Sequence, residues 1–258
     1  MMQFIINSDD FGYCPGINAA ILYCHTHGIL TSTTLMANGL FFEQAVQLAK
    51  AHPTLGVGVH LVMTFGRPLL DDMPSLTDEA GNFLKRTAFD EQSTIDAHEL
   101  YREWQAQIEK VKAAGIIPTH LDSHHHMHNF NETTREVIEQ LATDYQLPVR
   151  GNFEAHEGLT TVEHFVGDFD LVGMEPASKQ QTYVEELLAT LHRYESVEMM
   201  CHAGFLDSVL VANSSFTEPR MYQVPLLTDS ILVDRIQADS TIKLATYNDL
   251  SSGNTENC

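Results

Sequence analysis

Thr119-His120-Leu121-Asp122-Ser123-His124-His125-His126-Met127-His128 gathers five of the chain's 14 histidines into ten residues, directly after Pro118, where a buried strand can begin. In an extended chain alternate side chains share a face. His120, Asp122, His124, His126 and, if the strand runs on, His128 then project together, while His125 points away. Buried imidazoles need partners, and neutral imidazole is a common ligand of divalent metals. A histidine-rich surface loop or an artificial tag would look similar, but a tag sits at a terminus rather than mid-chain in an apolar context. The stretch therefore reads as a metal site at the end of a strand.

Working outward, short apolar runs alternate with longer amphipathic segments. The spacing predicts strands over 4–6, 32–36, 55–61, 119–123, 148–150, 197–201 and 243–246. Helices are predicted over 15–27, 42–51, 95–114, 132–145, 180–194 and 229–237. About seven βα units imply an α/β fold of parallel strands with right-handed crossovers and helices outside. Polar residues recur where these strands end: Asn7-Ser8-Asp9-Asp10-Phe11-Gly12 after the first, His60 closing the third, the histidine cluster after the fourth, and His202-Ala203-Gly204 after 197–201. That recurrence favours a closed or distorted TIM-like (β/α) barrel over an open sheet, with its chemistry at the C-terminal ends of the strands. Long connections at 62–94, 151–179 and 203–227 are expected to be lids, binding walls or subunit contacts.

A length of 258 residues fits one domain, 1–250, followed by a tail, 251–258, expected to be disordered. Fourteen Lys and Arg against 35 Asp and Glu leave a formal charge of −21, which repels phosphate backbones and anionic lipid. No nucleic-acid or membrane partner is expected. Cys14, Cys24, Cys201 and Cys258 form no CxxC pair, and the N-terminus has no basic stretch ahead of its few apolar residues. A cytoplasmic protein is expected, with a homodimer as the default assembly.

Taken singly the polar residues are weak signals. Asp9-Asp10 would also serve as a turn and cap before Pro15, and His60 or His202 alone would also be a packed, hydrogen-bonded histidine. Their shared position raises the joint reading: one carboxylate for a cation, its neighbour for a proton.

These residues carry a resemblance. Asn7-Ser8-Asp9-Asp10-Phe11-Gly12, Gly58-Val59-His60, the 119–128 stretch and Met200-Cys201-His202 resemble, in order and over nearly the whole chain, the YdjC-like carbohydrate deacetylases. Thr31-Ser32-Thr33-Thr34, 61–70 and Pro219-Arg220 fit as well. The resemblance implies a distorted (β/α) barrel, a divalent cation (Mg2+ or Zn2+), and removal of acetyl groups from N-acetylglucosamine units of chitooligosaccharides or phosphorylated relatives. By position it implies Asp10, His60 and His124 as metal ligands, Asp9 as general base and His202 as the proton donor to the departing amine. Asp122, His126, His128 and Arg150 would stand around those ligands or against the sugar. Phe65, Phe130 and Phe153 are candidates for stacking on the sugar, each of which could equally be core. Two positions depart from the family pattern: Ala203 follows the last histidine where proline is usual, and Gln223 stands where relatives carry glutamate three residues after the arginine. Two rival functions remain open, another histidine-rich metallohydrolase using His126 and His128 for a second ion, and a non-catalytic sugar sensor. The spare carboxylate beside Asp10 argues against the sensor.

Overall fold

A computed structural model describes residues 1–89, 94–154 and 158–250. The expected tail lies outside the described residues. In chain order the elements are β1 (Met2–Phe11), α1 (Pro15–His27), β2 (Ser32–Leu35), α2 (Phe42–Ala51), β3 (Gly56–Leu61), α3 (Ala97–Ala113), β4 (Leu121–Ser123), α4 (Glu132–Tyr145), β5 (His164–Val166), α5 (Ala177–Leu191), β6 (Ser196–Cys201), α6 (Ser208–Asn213), α7 (Glu218–Thr228), α8 (Ile231–Ala238), β7 (Ile242–Leu244) and α9 (Tyr247–Leu250).

The seven strands form one parallel sheet in the order β4-β3-β2-β1-β6-β5, with β7 paired to the start of β1. The sheet curls into a distorted barrel with helices outside, as the βα alternation requires. Between β4 and β5 the ladder thins to a few links: Leu121 N–H donates to Pro148 C=O at 2.8 Å, Arg150 N–H to Leu121 C=O at 3.0 Å, and Val149 N–H to Thr160 C=O at 2.9 Å. The strand expected over 148–150 is thus one bridge beside Leu121. β5 forms instead inside the long connection that followed, and α6 and α7 lie inside the connection expected over 203–227. β5 and α6 carry too few residues to show a period, and Pro225 inside α7 reads as a helix breaker.

β1 is central and buried almost throughout, with Phe4, Ile5 and Ile6 fully sealed. One apolar cluster continues from it across the helices. α3 shows how sequence places a wall of the site. Leu100, Trp104, Ile108 and Val111 face the core at helical spacing, Asp96 caps the N-terminus by accepting from His98 N–H and Glu99 N–H, and Gly115 follows the last turn at φ 82°. Burying each such apolar side chain is worth about 1.5–3 kcal/mol. The same face buries Glu103 and Gln107, whose hydrogen bonds hold the connection after β3. Glu103 accepts from Leu69 N–H and Leu70 N–H, and Gln107 accepts from Val62 N–H and donates to Val62 C=O. That connection carries Thr64 and Phe65 into the mouth of the barrel.

Candidate active site

In a regular strand, neighbouring Asp9 and Asp10 would face opposite sides of the sheet. The β1–β2 register slips between Ser8 and Phe11, and Asp10 adopts a left-handed φ of 69°. This bulge brings both carboxylates to one cavity. Such a conformation at a non-glycine residue is strained and persists where its surroundings fix it.

Asp10 Oδ2 accepts from Arg220 at 2.6 Å. Its Oδ1 lies 3.0 Å from His124 Nδ1 and 3.4 Å from His60 Nε2, yet this buried oxygen receives no hydrogen bond. On the far side of His60, Nδ1 lies 2.8 Å from Asp122 Oδ1, and Thr34 Oγ1 donates to Asp122 Oδ2 at 3.0 Å. A ring whose Nδ1–H is held by a carboxylate keeps its Nε2 lone pair for a metal. One carboxylate and two imidazoles around an orphaned oxygen fit a divalent cation, and Asp10, His60 and His124 converge closely enough to hold one. Burial opposes a charge on His60, but Asp122, Asp10 and Asp9 outweigh it and push the ring up to about 10, so a cation at this place competes with a proton.

Asp9 is held differently. Burial opposes its charge, while Arg150 overrides burial with two hydrogen bonds, Nη1 to Oδ2 at 2.8 Å and Nη2 to Oδ1 at 2.6 Å. The carboxyl is kept well below its usual range and stays ionised. Arg150 is fully buried and also reaches Asp122 at 2.9 Å and Glu198 at 3.0 Å. Tyr247 donates its hydroxyl to the same Glu198. His202 Nε2 sits 3.8 Å from Asp9 Oδ2, and its Nδ1 lies 2.8 Å from Asp170 Oδ1. Burial disfavours the charged ring, but Asp170, helped by Asp9, raises His202 above the ordinary imidazole value. Gln223, one of the two departures, ties this pair together: its Oε1 accepts from His202 N–H at 2.6 Å and its Nε2 donates to Asp170 Oδ1 at 3.1 Å. Arg220 therefore braces Asp10 rather than residue 223. At the other departure, Ala203 N–H donates to Ser8 Oγ at 3.1 Å and fixes the turn after His202.

The histidine stretch corrects the alternation expected of it. β4 ends at Ser123, and the chain turns at once into a 3-10 segment, His124–Asn129, in which His125 and His126 take left-handed φ of 57° and 53°. His125 does not point away. Its ring lies tilted against His124 with centroids 3.9 Å apart, its Nδ1 lies 2.9 Å from Thr64 Oγ1, and it lines the cavity. His126 lines the cavity too, whereas His128 is buried between Ser123 and Asn152. Burial pushes His125 and His128 down to about 3 and His126 to about 4, so all three are neutral at pH 7. His120 lies below the site, its ring stacked 3.8 Å over Tyr247, and takes no part at the mouth.

The cavity holds about 650 Å3 and is walled by Tyr13, Phe65, Lys85, Arg86, Asn213 and Phe216 around the acidic and histidine groups. Of the three expected stacking residues only Phe65 lines it, 4.7 Å from the ring of Tyr13. Phe130 packs under Arg86, and Phe153 packs edge-on to His128. Asp170, Asn152, Glu198 and Phe216 were not legible as site residues. Glu198 alone left a trace, as a carboxylate inside a largely apolar strand, whereas Asp170 sits in a short 3-10 segment, Phe169–Met174, and the others in irregular connections.

The chain is similar to several known proteins. Carbohydrate deacetylases of Clostridium beijerinckii and Brevibacillus brevis are 38% and 39% identical to this chain, each over 96% of it and 100% of the relative. A crystal structure of an Enterococcus faecalis V583 protein, whose name ties it provisionally to cellobiose-phosphate cleavage, superposes with a TM-score of 0.86 at 33% identity, covering 96% of this chain and 98% of that one. The model of the YdjC-like protein family matches residues 3–238, and the chain belongs to that family.

Proposed function

We propose that this chain is a divalent-metal-dependent carbohydrate deacetylase that hydrolyses the acetamido group of N-acetylglucosamine units in chitooligosaccharides or their phosphorylated relatives, releasing acetate. The observation that carries the reading is the orphaned Asp10 Oδ1 between His60 and His124, with the Asp9–Arg150 and His202–Asp170 pairs on the same cavity. A bound Mg2+ or Zn2+ supplies Lewis-acid polarisation of the acetyl carbonyl and lowers the pKa of water. Asp10, His60 and His124 would hold it. Asp9, fixed by Arg150, takes a proton from the attacking water. His202 gives its proton to the sugar nitrogen as the C–N bond breaks, leaving acetate and a free amine. The 3.8 Å between His202 Nε2 and Asp9 Oδ2 supports this pairing of a proton donor with a proton acceptor.

Phe65 and Phe216 give the sugar apolar faces, and Lys85 and Arg86 offer positive charge to a phosphorylated substrate in an otherwise acidic chain. His126 and His128 are engaged by Asn152 and Ser123 rather than gathered at Asp10, which favours one ion over two. The accompanying assembly is a homodimer in the cytoplasm; sedimentation of the purified protein measures the subunit number, and fractionation of source cells the location. Among the described residues no helix is long and apolar enough to cross a membrane. Incubating the protein with N-acetylated chitobiose and its phosphorylated form, with and without added metal, should release acetate only when metal is present. Sugar binding without acetate release would instead mark a sensor.

A further inference from the structure

Ser123 Oγ accepts the backbone N–H of His128 at 2.8 Å and also lies 2.6 Å from His128 Nδ1. Among the described residues the hydroxyl's own proton has that one acceptor. His128 Nδ1 is thus unprotonated, and the neutral ring carries its proton on Nε2. Nε2 donates to Asn152 Oδ1 at 2.6 Å, which orients the amide. Asn152 Nδ2 then donates to His126 Nδ1 at 3.0 Å. With Nδ1 accepting, His126 in turn carries its proton on Nε2. The reversed chain would leave the buried Ser123 hydroxyl facing two N–H donors with no acceptor for its proton, an arrangement that buried polar groups avoid. No group among the described residues bonds His126 Nε2, and the ring lines the cavity that holds Asp9, Asp10 and His202.

We propose that Ser123, His128 and Asn152 form a relay that holds His126 as its Nε2–H tautomer, a fixed hydrogen-bond donor for an oxygen of the sugar in the cavity. The sugar as ligand rests on the deacetylase reading, whereas the tautomer rests on the hydrogen-bond chain alone. A ring so held cannot act as a base through Nε2, so His126 positions substrate rather than activating water.

Long-range proton–nitrogen correlation on the full chain labelled at histidine, with His126 assigned through His126→Gln, reads the tautomer directly. Nε2 should be protonated and Nδ1 bare, both in chelator-treated protein and with Mg2+ added. A ring protonated on Nδ1, or one that loses its Nε2 proton to the metal, overturns the relay whatever the activity. With N-acetylated chitobiose, His126→Ala should raise KM about tenfold, the worth of one neutral hydrogen bond, with kcat within about twofold. His126→Gln should recover part of the loss, because its amide N–H2 reaches the same side. Asn152→Leu should mix the two tautomers and raise KM by less. An unchanged KM in His126→Ala, or a loss confined to kcat, overturns the sugar contact. An unchanged tautomer in Asn152→Leu removes Asn152 from the relay. If the wild-type chain releases no acetate the deacetylase reading fails by itself. Titration with the intact sugar then decides the contact, since an Nε2–H resonance that does not shift overturns it.

Discussion

At the scale of single residues, a bulge brings the two adjacent aspartates to one cavity while different partners hold them, Arg220 on Asp10 and Arg150 on Asp9. Asp10→Asn should lower bound metal, as should His60→Ala and His124→Ala, whereas Asp9→Asn should keep metal near wild type and cut turnover by about a hundredfold or more. Metal analysis alongside acetate release checks the split, and wild-type turnover in Asp9→Asn would place the base elsewhere. His202 as proton donor predicts a pH dependence. Asp170 raises its pKa, so the ring keeps its proton above ~6.5, the ordinary imidazole value, and loses it as the pH climbs through the raised one. The alkaline limb of activity should therefore lie above ~6.5, and Asp170→Asn should move it to lower pH while sparing the acid limb. An alkaline limb that stays put in Asp170→Asn would assign it to another group.

At the scale of elements, β3 and β4 are locked together by a close approach. A Cβ on Gly58 would stand 2.5 Å from the His120 ring and 2.8 Å from its carbonyl oxygen, so Gly58→Ala must push the two strands apart. Overpacking of this kind costs about 1–3 kcal/mol, and His60, two residues along β3, should drift from Asp122. Thermal denaturation and metal affinity should fall together. A variant as stable and as tight for metal as wild type would show that the strands yield freely. The 3-10 segment after β4 teaches the complementary lesson: the histidine pattern was legible, but the facing of each ring was set by where the strand stops. Thr119 to Ser123 is bounded by its pairing with β3 and Val149, and nothing in the run of imidazoles announces the turn at His125.

At the scale of the whole molecule, a buried ionic chain of Asp9, Arg150, Asp122 and Glu198 ties β1, β4 and β6 together at the barrel's centre. Arg150→Met would leave three sealed carboxylates without their cation, a loss of about 3–5 kcal/mol. For a chain of this size that amounts to a fall of roughly 10 °C in Tm. A shift within a degree or two would mean that the carboxylates protonate and repack cheaply. Residues 1–250 as one domain predict a single cooperative transition in calorimetry, raised by Mg2+ or Zn2+ through binding to the folded state alone. Two separated transitions would divide the chain.

Local pattern was enough to reveal the βα alternation, the helices α1, α3 and α4, and the grouping of Asp9, Asp10, His60, His124 and His202 at strand ends, because periodicity and strand termini are properties of neighbouring residues. Arg150 could be named as a site residue, but not that it holds Asp9. Asp170 behind His202, Asn152 between two histidines, and Gln223 as the brace of the His202–Asp170 pair were decided only by tertiary structure. Each comes from a short or irregular segment or a late helix and meets a partner distant in sequence, where hydrogen-bond geometry, rather than any local period, selects the contact.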